Sequence, residues 1–252
     1  MGGSTSAGIA PAGLAKAYAF FGDQKYLETV EESAEYYYQQ HLRKGYTTGG
    51  PGEILQCVDS ESGFGLLESF VVLYEVTGSK KWLTYAEECA HYCSSWVVSY
   101  NYQFPPESEF GRHHMKTVGS VFANLQNKHS APGICTLSGD SLLKLWQWTQ
   151  NPLYLELVKD IALTIGQYMS TNNDPIYDWD LLPEDREKGN PDQVEAHRLP
   201  QGFICERVNM SDWETDRCVG GVFHGSCWSE TSNLLALAEV IPMLLELSLI
   251  HI

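Results

Sequence analysis

The sequence predicts an all-α fold in which helical hairpins close into a ring, and three observations carry that expectation. A plan of two amphipathic helices joined by a tight turn recurs along the 252 residues. The first helix of each pair is the more apolar, which suits an inner position with neighbours all round. Finally, the links between pairs are long, uneven, and rich in Gly, Pro and Trp.

The first hairpin, "GLAKAYAFFGDQKYLETVEESAEYYYQQHL", starts at Gly13. The second, "GLLESFVVLYEVTGSKKWLTYAEECAHYCSSWV", starts at Gly65, and the third, "SLLKLWQWTQNPLYLELVKDIALTIGQYM", at Ser141. "NLLALAEVIPMLLE", from Asn233, opens a fourth. Each complete pair turns on Gly22-Asp23, Gly78-Ser79 or Gln150-Asn151, and Asp23, Ser79 and Asn151 are suited to cap the second helix by accepting its free N–H groups. An aromatic-leucine pair follows each turn (Tyr26-Leu27, Trp82-Leu83, Tyr154-Leu155) and begins that helix's buried face. The three- and four-residue spacing then continues, as in Leu155, Val158, Ile161, Ala162 and Ile165.

Hairpins of this kind cannot bury their faces alone and must stack on one another, as an open solenoid or a closed ring. The links decide between the two. They run from about Lys44 to Ser62, Tyr100 to Gly139 and Ser170 to Thr231, whereas solenoid repeats keep short links of near-constant length. Loops longer than about 12 to 15 residues inside a compact domain are usually functional or disordered. In an up-down ring every long link arrives at the N-terminal ends of the first helices, so functional residues are expected on that one face. Unpaired N–H groups and positive dipole ends there favour carboxylates.

Composition removes other classes. Sixteen basic against thirty-two acidic side chains give a formal charge of -16, which repels nucleic acid and anionic membrane surfaces. No run of about 18 apolar residues marks a membrane span. Seven cysteines without a C-x-x-C pair argue against a disulfide scaffold. The N-terminus lacks the basic and apolar regions of a signal peptide. The last residues, "LSLIHI" (247–252), follow without a cap and resemble a translated sequencing-adapter end, so a non-native tail is expected there.

Inner-outer hairpins with these turns, and long aromatic links before the inner helices, resemble the six-hairpin (α/α) toroid glycosidases, a superfamily of carbohydrate-active enzymes. The resemblance covers most of residues 13–246 and lies in the repeat pattern, since no motif selects one glycosidase family. About three and a half hairpins stand where a full ring has six, so an internal fragment is expected. The resemblance implies a partial (α/α) toroid catalytic domain over residues 1–246 and a carbohydrate substrate. It implies a glycoside hydrolase using a carboxylate acid/base pair at the N-terminal face of the inner helices, without cofactor or metal. A sugar epimerase or polysaccharide lyase on the same fold is the first alternative, with histidine or tyrosine as base. A non-catalytic helical repeat module that binds a glycan or peptide is the second.

Glycoside hydrolysis typically uses two carboxyl groups about 5 to 9.5 Å apart. Glu230, Asp59, Glu206 and Asp212 form the candidate catalytic pool, with Glu230 first because it lies at an inner helix head beside Trp228. The competing reading of Asp59 is a plain helix cap. Glu61, His129, Arg207, Trp213, His224 and Trp228 are the candidate substrate contacts. His129 can donate from one ring nitrogen and accept at the other. Arg207, beside Glu206, either clamps an acidic sugar's carboxylate or forms an ion pair that pins a long loop. Trp213 and Trp228 either stack on sugar rings or pack beneath that loop. Cys135 and Cys227 sit at equivalent helix heads near His224, which raises a zinc set, but small buried cysteines are the favoured account.

Overall fold

The computed structural model describes residues 5–49, 57–125, 129–134, 137–211, 217–225 and 227–247. The chain forms two compact units. One comprises Met1–Trp96, Asn124–Gln126 and Gly139–Leu157, and the other Val97–Ala123, Asn127–Ser138 and Val158–Ile252.

The first unit holds the hairpins expected from the repeats: α1 (Ala10–Phe21) with α2 (Gln24–Gln40), and α3 (Ser60–Thr77) with α4 (Lys80–Ser94). It also contains α6 (Asp140–Thr149) and the first residues of α7 (Pro152–Ile165). Gly22 and Gly78 end α1 and α3 in the left-handed region, at φ 73° and 66°, which glycine reaches without steric cost. Asp23 caps α2 by accepting from Lys25 N at 3.0 Å, and Asn151 accepts from Leu153 N at 3.1 Å. Ser79 departs from expectation, because its side chain makes no cap bond. Its N–H instead donates to Thr77 Oγ1 at 3.2 Å, while that hydroxyl donates to Leu73 O. Thr149 repeats the device, with Oγ1 donating to Leu145 O and accepting from Asn151 N.

Burial separates inner from outer helices within this unit. Positions 62 to 73 of α3 are buried without interruption, whereas α4 buries a stripe formed by Trp82, Ala86, Cys89, Ala90 and Cys93. Gly63 lets the two helices approach, since a Cβ there would stand 2.8 Å from the Tyr92 ring.

The third turn carries a testable cost. Gln150 occupies the left-handed region at φ 57° where the other two hairpins use glycine. Gln150→Gly is expected to stabilise the first unit by about 0.5–1 kcal/mol through relief of that strain, read as a raised urea midpoint. An unchanged or lowered midpoint would show that the side-chain bonds from Gln150 Nε2 to Trp146 O and Gln147 O outweigh the strain.

The second unit corrects the fold class. The expectation of an all-α ring, an (α/α) toroid, is overturned because β1 (Val121–Phe122), β2 (His129–Ala131), β3 (Arg207–Asn209) and β4 (Val222–Phe223) form a four-stranded antiparallel sheet in that order. The fold is mixed α and β, and no toroid is seen. The strands lie inside the second and third links, where their backbone groups find partners in one another instead of in a helix. Two or three residues are too few to display a period of two, so nothing local marked them.

Short helices α5 (Glu109–Arg112), α8 (Pro183–Lys188), α9 (Pro191–Ala196) and α11 (Ile241–Glu246) complete this unit, together with α10 (Cys227–Glu239). Its core gathers Phe110, Ile165, Tyr168, Ile176, Cys205, Val208, Val222 and Ala236. Tyr168 is fully buried, with its hydroxyl 3.2 Å from the hydroxyls of both Ser120 and Ser130. Those contacts satisfy a polar group that would otherwise be costly to bury. Among the described residues no helix is long and apolar enough to cross a membrane.

Candidate functional site

The sheet sorts its side chains by alternation, because successive residues of a strand face opposite sides and paired residues of antiparallel strands share one. Ser130 pairs with Val208, and Val208 with Val222. All three are fully buried, and the two valines belong to the core of the unit. The opposite face therefore carries His129 with its partner Asn209, and Arg207 with its partner Phe223. Two of the predicted substrate contacts, distant in the sequence, meet there.

Trp179 lies over this face. Its ring is 5.9 Å from His129 and 4.9 Å from Phe223, centroid to centroid. The Arg207 guanidinium stands 4.6 Å from the Phe223 ring centre and 5.7 Å from that of Trp179, so the cation is held against two aromatic rings. The tryptophan is placed by its backbone, with its N–H donating to Val222 O at 2.8 Å next to the parallel bridge between Asp178 and Val222.

The same bridge puts Asp178 beside His224. Asp178 is buried, and its Oδ2 accepts from His224 N at 2.9 Å and lies 2.5 Å from His224 Nδ1. Its Oδ1 accepts from Asp180 N at 2.9 Å. The carboxylate accepts from Nδ1 and so orients the ring, leaving Nε2 as its free edge on a side chain that is 49% exposed.

Glu206 sits at the other end of this group. Its N–H donates to Phe223 O at 3.0 Å, and its Oε1 is 3.9 Å from Arg207 Nη1. Gly225 accommodates the carboxyl: φ there is 76°, and a Cβ would fall 2.2 Å from Glu206 Oε2. The glycine after His224 is thus the residue that lets Glu206 lie against this stretch of chain. His129, 1% exposed, has its pKa lowered to about 4, first by burial and then by the positive charge of Arg207. At neutral pH it is an uncharged imidazole.

Glu206, Arg207, His129 and His224 therefore belong to one cluster in the second unit, and Glu230 lies in the first turn of α10 in the same unit. Asp59 and Glu61 lie in the first unit, at the N-cap and first turn of α3. Asp59 is buried and caps the helix, with Oδ2 accepting from Ser62 N at 3.2 Å and from Ser62 Oγ at 3.1 Å. Burial pushes its carboxyl up to about 6 against the two Ser62 hydrogen bonds. Asp212, Trp213 and Cys135 fall outside the described residues, as do the side chains of Trp228 and Cys227. Among the described residues no group of three or more His, Cys, Asp or Glu is placed to hold a metal ion.

Sequence reasoning missed Asp178, Trp179 and Phe223. The available signal was the "DWD" run at 178–180, an aromatic between two acids in the link that also supplies Glu206 and Arg207. Comparison with known protein families and with curated proteins gives no match.

Proposed function

We propose that this chain is a carbohydrate-active enzyme, a glycoside hydrolase whose chemistry is carried by the sheet face of the second unit. One observation supports the reading above the others: a cation (Arg207) is held against two aromatic rings (Trp179 and Phe223), with a carboxyl (Glu206) at its edge and a buried neutral imidazole (His129) against Trp179. Aromatic faces suit the apolar faces of sugar rings, and the polar groups between them suit hydroxyls. In this reading Glu206 gives a proton to the leaving oxygen as the glycosidic C–O bond breaks. Glu230, in the same unit, is the second carboxyl, acting as nucleophile or activating the water. His129 binds a substrate hydroxyl, and Asp178 positions His224.

The His224–Asp178 pair favours a second reading. An exposed imidazole oriented by a buried carboxylate is suited to abstract a proton, which a polysaccharide lyase or a sugar epimerase requires. A panel of defined oligosaccharides incubated with the chain separates the two. Hydrolysis adds one water to the products, elimination leaves an unsaturated sugar, and epimerisation leaves the mass unchanged. Mass analysis and proton NMR are expected to show added water. An unsaturated or isomeric product would replace the hydrolase reading with the second one, and a panel left wholly unchanged would overturn both.

A further inference from the structure

Arg207 has two possible roles, as a loop-pinning ion pair or as a clamp for a ligand's carboxylate, and its surroundings discriminate between them. A pinning arginine spends its planar fork of donors on a carboxylate at about 2.7–2.9 Å, usually with two parallel bonds. Here the nearest approach to Glu206 is 3.9 Å from Nη1, at the outer limit of an ion pair. Arg207 Nε is buried and has no hydrogen-bond partner among the described residues. The other contacts of the guanidinium are the faces of Phe223 and Trp179, which orient a cation but accept no N–H bond in the plane of the fork.

A buried donor without an acceptor is costly, and it is costlier on a charged group. A site that carries such a group is complete when a ligand supplies the acceptor. The charged and titratable groups around it narrow the choice of ligand. Among the described residues Glu206 is the only carboxylate within ion-pair reach of the fork, Asp178 is committed to His224 and Asp180, and His129 is neutral. A neutral sugar hydroxyl meets one N–H at a time and leaves the charge unbalanced. A planar carboxylate meets two and balances it.

We infer that the sugar bound at this face is a uronic acid, whose carboxylate is held by the Arg207 fork against the rings of Phe223 and Trp179. The inference rests on the carbohydrate reading above. It assigns Arg207 to binding and selectivity, not to bond cleavage. Because the chain carries -16 formal charges, an acidic sugar gains nothing from the long-range field, so its recognition depends on this local fork.

The test compares 4-nitrophenyl glycosides that differ only at C6, glucuronide against glucoside and galacturonide against galactoside, each in both anomers. The wild-type chain is set beside Arg207→Lys and Arg207→Gln. The wild type is expected to prefer a uronide over its neutral twin by about tenfold or more in kcat/KM, and Arg207→Gln to lower kcat/KM for that uronide by about 100-fold. The loss should fall mainly on KM and exceed any loss on the neutral twin by about tenfold or more. Arg207→Lys keeps the charge and loses the fork, so an intermediate loss is expected. Preference of the wild type for the neutral twin overturns the inference and leaves the hydrolase reading standing.

If no glycoside is cleaved, calorimetric titration with free glucuronate, galacturonate, glucose and galactose decides. Binding of the uronates alone, lost in Arg207→Gln, upholds the inference while the hydrolase reading falls. Binding of none of the four, or equal binding of all, overturns it. Circular dichroism checks that each variant is folded, and if Arg207→Gln is not, the wild-type selectivity and Arg207→Lys carry the test.

Discussion

Glu206→Gln is expected to lower kcat on a cleaved glycoside by about 10²–10⁴-fold, the usual worth of a positioned acid or base, with KM little changed. The substitution keeps the shape of the side chain, so its seat against Gly225 is preserved. On the hydrolase reading, what it removes is the proton donated to the leaving oxygen. His224→Ala on the same substrate provides the contrast. If Glu206 is the acid, the histidine variant keeps most of its turnover. If His224 is the base of a lyase or epimerase, the order reverses. Turnover of Glu206→Gln within about tenfold of wild type would remove Glu206 from the acid role.

The second large effect concerns stability. Asp59 has a carboxyl raised from 3.8 to about 6, chiefly by burial. Below about pH 3 the group is protonated in both folded and unfolded chains and costs nothing. As pH rises from about 3 to about 6 the unfolded chain releases the proton first, so stability falls through this window and stays lower above it. At about 1.4 kcal/mol per pKa unit the full cost at neutral pH is on the order of 2–3 kcal/mol. Asparagine caps a helix about as well as aspartate, and it carries no charge to bury. Asp59→Asn is therefore expected to match wild type at about pH 3 and to exceed it by about 2 kcal/mol at pH 7.5, in urea unfolding.

An equal offset at both pH values would show that the effect is not linked to a proton. The same variant addresses the catalytic pool. Asp59 would leave it if glycoside turnover persisted, and a loss of turnover in a folded Asp59→Asn protein would return it to the site.

Much of the first unit was legible in the residues. The turns at Gly22-Asp23, Gly78-Ser79 and Gln150-Asn151 fall where the hairpins turn, because turn and cap chemistry acts over three or four residues and leaves its mark in the sequence. The miss at Ser79 is instructive: a threonine two positions earlier offered its hydroxyl to the Ser79 N–H, a competition that residue preferences do not rank. In the site, Glu206, Arg207, His129 and His224 were legible as polar residues in long links before apolar helices. Their grouping was not, and neither were their partners Asp178 and Trp179.

Helix positions, hairpin turns and the exclusion of a membrane-spanning helix followed from local periodicity and charge, which any short window of this chain displays. The sheet, the pairing of His129 with Asn209 and of Arg207 with Phe223, and the seat of Trp179 above them came only with folding. Those contacts join residues far apart in the chain through strands of two or three residues, too short to carry a period of their own. Their register depends on which backbone groups find partners once the helices have packed.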